Sequence, residues 1–117
     1  MADFRLYLKD KNSVKETQIR LHIHYRNKIA KVYIGEKINP QDWNTATQRA
    51  KQTKKFPEHP EFNERLEDII LAGKRALKNL LKEYDSIFPE PRVLSKRVRI
   101  ELGLEEGKTK LGIFVSS

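Results

Sequence analysis

The string Thr17-Gln-Ile-Arg-Leu-His-Ile-His-Tyr-Arg26 sets two histidines two residues apart. In an extended chain residues i and i+2 lie on one side, roughly 7 Å apart. His22 and His24 then share a face with Gln18, Arg20 and Arg26, and Ile19, Leu21, Ile23 and Tyr25 share the other. Two imidazoles could begin a metal site, but such a site needs a third ligand and usually a carboxylate. No acidic residue stands in register on this strand and His59 is remote in sequence, so no metal is expected. The flanking segments extend the pattern. Phe4 to Lys9 sets Arg5, Tyr7 and Lys9 opposite Phe4, Leu6 and Leu8, and Ile29 to Gly35 sets Ile29, Lys31 and Tyr33 opposite Ala30, Val32 and Ile34.

Gathered on one sheet face, Arg5, Tyr7, Lys9, Gln18, Arg20, His22, His24, Arg26, Lys31 and Tyr33 can all donate hydrogen bonds, and none is acidic. A face that is merely solvated usually mixes both signs, because carboxylates balance cations across strands. A donor-only face suits the major groove of duplex DNA, where Arg reads guanine and Gln reads adenine. Tyr and His reach phosphates or bases. Lys11, Lys15, Arg26 and Lys28 would touch phosphates from the loop tips. Single-stranded nucleic acid is the weaker partner, since the face lacks the several stacking aromatics of such platforms.

Other chemistries have little to stand on. The chain has no glycine-rich phosphate loop and no G-x-S-x-G nucleophile elbow. Glu61, Glu64, Glu67 and Asp68 are grouped carboxylates, but a helix start attracts acidic residues through its macrodipole, and they are assigned to the solvated side of a helix. With no cysteine there are no disulfides, thiolate zinc sites or Cys nucleophiles. No cofactor and no small-molecule substrate are expected.

The elements that must hold this face follow from periodicity. Three alternating segments, over Phe4–Lys9, Thr17–Arg26 and Ile29–Gly35, predict an antiparallel meander, with a polar loop over 10–16 and a tight turn at Arg26-Asn27-Lys28. Gly35 is expected to end the third strand, and Asn39-Pro40 to open a short helical turn reaching Trp43. Residues 44–58 are polar and predict an exposed loop. From Pro60 to about residue 86 one long helix is predicted, with Phe62, Leu66, Ile69, Ile70, Leu77, Leu80, Leu81 and Tyr84 as the stripe that covers the apolar side of the sheet. Pro89 and Pro91 break the chain, Val93–Leu102 forms a short helix stopped by Gly103, and 105–110 is a linker. The fold class is therefore α+β: a three-stranded antiparallel sheet packed on a long C-terminal helix, with a short helix and linker beyond.

Composition agrees with a polyanion as partner. The 117 residues carry 24 Lys and Arg against 16 Asp and Glu, a net charge of +8. The surplus lies in the first half: residues 1–58 hold 13 basic and 6 acidic side chains, residues 59–117 hold 11 and 10. Nucleic acid is the first expectation for such a balance. No apolar run approaches the roughly 20 residues that span a bilayer, and the N-terminus lacks a signal peptide's apolar stretch, so no membrane partner is expected. A soluble protein of a reducing cytoplasm is expected.

From Phe4 to about Leu102 the sequence resembles the N-terminal arm-type DNA-binding domain of tyrosine recombinases, the integrases of bacterial conjugative transposons and related phage-like mobile elements. The residues that carry the resemblance are Phe4-Arg-Leu-Tyr-Leu, Gln18-Ile-Arg-Leu-His-Ile, Asn63-Glu-Arg-Leu66 and, most specifically, Gly35-Glu-Lys-Ile-Asn-Pro-Gln-Asp-Trp43. The family usually carries a glycine before the second strand and another in the following hairpin, where this chain has Glu16/Thr17 and Asn27. The resemblance implies a DNA-binding domain over 1–88, a short helix and linker over 89–110 and the beginning of a core-binding domain over 111–117. It implies that the sheet face enters the major groove of arm-type sites during DNA integration and recombination, at the nucleoid of a bacterial cell. Arg5, Tyr7, Lys9, Lys15, Gln18, Arg20, His22, His24, Arg26, Lys28, Lys31 and Tyr33 are the candidate DNA-binding residues. The family's catalytic residues would lie past residue 117, so this chain is not expected to cut DNA. A protein–protein module contacting other recombinase protomers, through the helix surface or Val93–Leu102, is the alternative.

Overall fold

In the computed structural model, which describes residues 2–105, the elements run β1 (Asp3–Leu8), β2 (Thr17–Tyr25), β3 (Lys28–Ile38), a 3-10 turn (Pro40–Asp42), β4 (Trp43–Asn44), β5 (Arg49–Ala50), α1 (His59–Glu83) and α2 (Pro91–Glu101). The chain is α+β, as its periodicity predicts: β1, β2 and β3 form an antiparallel meander with the helices on one side. The expected start of a further domain at residues 111–117, and most of the expected linker, lie outside the described residues.

Alternation drives the layering. Every odd residue of β2 from Thr17 to Tyr25 is buried and every even one is partly exposed. Leu6, Leu21 and Val32 stand in one cross-strand row and form the centre of the core with Leu66 and Leu80 of α1. β2 and β3 join through a two-residue turn with Arg26 at φ 47° and Asn27 at φ 61°, the left-handed pair whose twist matches a β-hairpin. Asn tolerates this region; the arginine gave no such signal.

Four expectations are corrected. Gly35 does not end the third strand. It takes φ +82° inside a bulge, where β2 steps from Arg20 to Gln18 while β3 steps from Tyr33 to Lys37, and the strand continues to Ile38. Open space beside the missing Cβ is taken by Leu104, whose Cδ2 would lie 3.2 Å from a Cβ there. Residues 44–58 are not all loop, since β4 and β5 pair as a small hairpin and Gln48 at its tip accepts a 2.8 Å hydrogen bond from the Leu6 N–H on the outer edge of β1. The long helix stops at Glu83, short of residue 86: Asp85 and Ser86 take positive φ, and the Ser86 N–H donates to the Leu81 carbonyl at 2.7 Å. Tyr84, expected in the core stripe, is thereby left exposed.

The middle of α1 is closer to the sheet than a stripe of large residues would allow. Ala72, Gly73 and Ala76 are buried there, and a Cβ on Gly73 would sit 3.1 Å from Leu21 Cδ2 and 3.4 Å from the Phe4 ring. The second helix closes the same core. Leu94 and Val98 of α2 are fully buried, and its Ser95 hydroxyl donates to the Lys31 carbonyl on β3 at 3.3 Å. A Schellman motif ends it: Gly103 takes φ +77°, its N–H donates to the Ile100 carbonyl and the Leu104 N–H to the Arg99 carbonyl. The segment between the helices is pinned by the buried Tyr25 hydroxyl, which donates to the Pro89 carbonyl at 2.8 Å. Among the described residues no helix is long and apolar enough to cross a membrane.

Candidate nucleic-acid interface

The side of the sheet away from the helices is a grid whose rows are set by strand register. Arg5, His22 and Lys31 lie across from one another, as do Tyr7, Arg20 and Tyr33. Below them Gln18 pairs with Lys37, and the Lys9 N–H donates to the Gln18 carbonyl at 2.8 Å, which brings Lys9 into the same row. Above them His24 stands between Asp3 and Ile29. Outer strands of a three-stranded sheet are about 10 Å apart. That width matches a major groove of about 12 Å.

Arg20 occupies the centre. Its Nε is buried and has no hydrogen-bond partner among the described residues. A donor in that condition loses its hydration without compensation, a cost of about 1–3 kcal/mol. Rings crowd around it: those of Tyr7 and His22 lie 4.6 Å apart and those of His22 and His24 6.4 Å apart, each pair tilted by 46°. Among the described residues no group of three or more His, Asp and Glu side chains is placed to hold a metal ion.

Not every candidate belongs to this face. Arg26 places its guanidinium 4.6 Å from the centre of the Phe88 ring, and Lys28 lies 3.6 Å from Glu90, so both turn to the segment joining α1 to α2. Lys28 also pairs with Tyr25, a core-facing position. Lys15 is exposed in the β1–β2 loop, where its N–H and carbonyl both bond the Ser13 hydroxyl. Lys37 joins the face because β3 runs on past Gly35. The odd position of Lys37 continues the series 29, 31 and 33, but a charged Glu36 on the other side masks the period. Asp3 also belongs here and bonds Arg5 Nε at 2.7 Å, so the face is not free of carboxylates. Five cations (Arg5, Lys9, Arg20, Lys31 and Lys37) still stand against that one acid.

His22 has its pKa lowered, first by desolvation and then by Lys31, His24 and Arg20. It is therefore neutral near pH 7 and contributes donor and acceptor rather than charge. The sign of the linkage follows. Below the ordinary imidazole value of about 6.5 the unfolded chain takes up a proton that folded His22 refuses, so this group's contribution to stability is whole above that value and falls as pH drops toward the depressed value. Urea unfolding should show a midpoint that declines between about pH 7.5 and 5.5, and His22→Asn should flatten that decline. Equal slopes in the two proteins would assign the pH dependence to other groups.

No family model, no curated protein and no solved structure matches this chain.

Proposed function

We propose that this chain is a non-catalytic DNA-binding module that lays the outer face of its sheet in the major groove of duplex DNA. The observation that carries the reading is Arg20: an arginine at the centre of a donor-rich face, between two tyrosines, with a buried donor that lacks a partner. Guanine presents two acceptors to an arginine, and phosphates along the groove walls suit Arg5, Lys9, Lys31 and Lys37 at the outer strands. The resemblance to integrase arm domains supports reading the module as part of a tyrosine site-specific recombinase that acts on arm-type sites of a mobile element, with double-stranded DNA as its partner.

Anisotropy titrations of labelled duplexes over a salt series test this. The logarithm of affinity should fall linearly with the logarithm of salt, by about 0.9 per phosphate neutralised, giving a slope of roughly −3 to −5 for a face with this many cations. Selection from a random duplex pool should then return a preferred sequence containing guanine. Absence of binding at about 0.05 M salt, or a slope near zero, would remove the proposal.

A further inference from the structure

The exposed side of α1 carries a second ordered pattern, on the opposite side of the molecule from the sheet's outer face. Positions 61, 64, 68, 71, 75, 78 and 82 alternate steps of three and four, the spacing of a coiled-coil seam. All are exposed. The first three are Glu61, Glu64 and Asp68; the last three are Arg75, Lys78 and Lys82; Leu71 stands at the change of sign with 54 % of its surface exposed.

The macrodipole favours acids in the first turn and bases in the last, but its effect fades within those turns. It does not reach Asp68 or Arg75. Within one helix the segregation is unfavourable, since Glu64–Asp68 and Lys78–Lys82 are like charges four residues apart. Three of the four charges elsewhere on α1 are paired, Lys74 lying instead 5.9 Å from the centre of the Phe4 ring. Arg65 bonds Glu36 at 3.0 Å, Glu67 accepts from Arg49 at 3.0 Å and Glu83 from Arg97 at 2.8 Å. On the seam, Glu61, Glu64, Asp68, Lys78 and Lys82 have no ion-pair partner among the described residues, and Arg75 has a 3.7 Å contact with Glu101.

We infer that this seam docks against the same seam of a second copy of the chain, antiparallel, with Leu71 meeting Leu71 on the two-fold axis. Glu61 then faces the other copy's Lys82, Glu64 faces its Lys78, and Asp68 faces its Arg75, each pair made twice by the symmetry. The partner is chosen by charge complementarity, because a reversed copy of this helix supplies the opposite sign at every charged position. With one leucine per copy at its centre, the contact depends on electrostatics and weakens as salt rises. It leaves the sheet's outer face uncovered and does not depend on DNA binding.

Sedimentation equilibrium without DNA tests it. At about 0.03 M salt the weight-average mass should climb toward twice the monomer mass as protein concentration rises, and at about 0.5 M salt it should return to the monomer. Leu71→Glu should abolish the association at low salt. Two charge variants sharpen the test: Lys78→Glu with Lys82→Glu makes the seam acidic at both ends, and Glu61→Lys with Glu64→Lys makes it basic at both ends. Each alone should remain monomeric, and their equimolar mixture, which restores every complementary pair, should associate at low salt as the wild type does, with circular dichroism confirming that each is folded. A wild type that stays monomeric at about 1 mM in low salt overturns the inference, whatever the mixture does. So does wild-type association that survives Leu71→Glu and both charge variants.

Discussion

Arg20→Ala should lower affinity for the preferred duplex by about 5- to 150-fold, corresponding to 1–3 kcal/mol for a bidentate arginine–guanine contact, while leaving the fold intact. The stability half of that expectation rests on the buried Nε of Arg20. Arg20 Nε is buried without a partner, so the folded protein holds this side chain at some cost and gains nothing from it in hydrogen bonding. Removing it takes away an unsatisfied donor, and the thermal midpoint should hold or rise slightly. On DNA the Arg20 guanidinium would meet guanine, and the variant should lose discrimination as well as affinity: the preferred and scrambled duplexes should bind nearly alike. Lys15→Ala is the contrasting case. Lys15 is exposed on the β1–β2 loop, and if it meets a phosphate its loss should weaken all duplexes equally and reduce the salt slope by about 0.9. If Arg20→Ala changes neither affinity nor preference, the sheet is not the reading surface, however basic it is.

Much of this architecture was legible because one signal dominates it. Alternation in Thr17–Tyr25 is unbroken over nine residues, and a period of two assigns each residue to a side without reference to anything distant. The outer face could therefore be listed almost complete. What escaped had no local signature. Lys37 has no local signature because Gly35 ordinarily stops a strand, whereas here its positive φ builds a bulge that adds two residues to β3 and keeps the alternation in step. Asp3 stands at a strand start, a boundary that periodicity does not define. Arg26 and Lys28 looked like loop-tip cations, but Phe88 and Glu90, some sixty residues on, draw them to the other side of the hairpin. The core shows the same division. Large residues at helical spacing announced Phe62, Leu66 and Leu80, yet Ala72, Gly73 and Ala76 carry little hydrophobic signal and set the closest approach of α1 to the sheet. Hairpin β4–β5 is two residues per strand and depends on Asn63, which accepts from the Ala50 N–H at 2.8 Å and donates to its carbonyl. That contact is tertiary, so the strand sequence alone does not announce it.

Leu21→Ala should destabilise the domain by about 3–5 kcal/mol, the upper part of the range for a buried leucine. Leu21 is fully buried at the middle of β2, between Leu6 and Val32. Above it lies Gly73 of α1, already near the closest approach its backbone allows. Neither a three-stranded sheet nor a helix backbone can move far to fill the space, so a cavity remains and its cost adds to the lost transfer energy. A domain of this size has a total stability of roughly 5–15 kcal/mol, and the midpoint should fall by roughly 12–25 °C in a thermal melt monitored by circular dichroism. A loss below about 1 kcal/mol would mean that the core under β2 is looser than its burial indicates. The comparison with Arg20 gives the change its use. Residues 20 and 21 are neighbours in sequence on opposite sides of one strand. Leu21→Ala should reduce stability yet, assayed cold enough to stay folded, bind DNA nearly as the wild type does. Arg20→Ala should reduce binding and spare stability. If the sheet has one side for folding and another for recognition, the two substitutions must separate in this way; loss of both properties in both variants would mean that the outer face has no role apart from the fold.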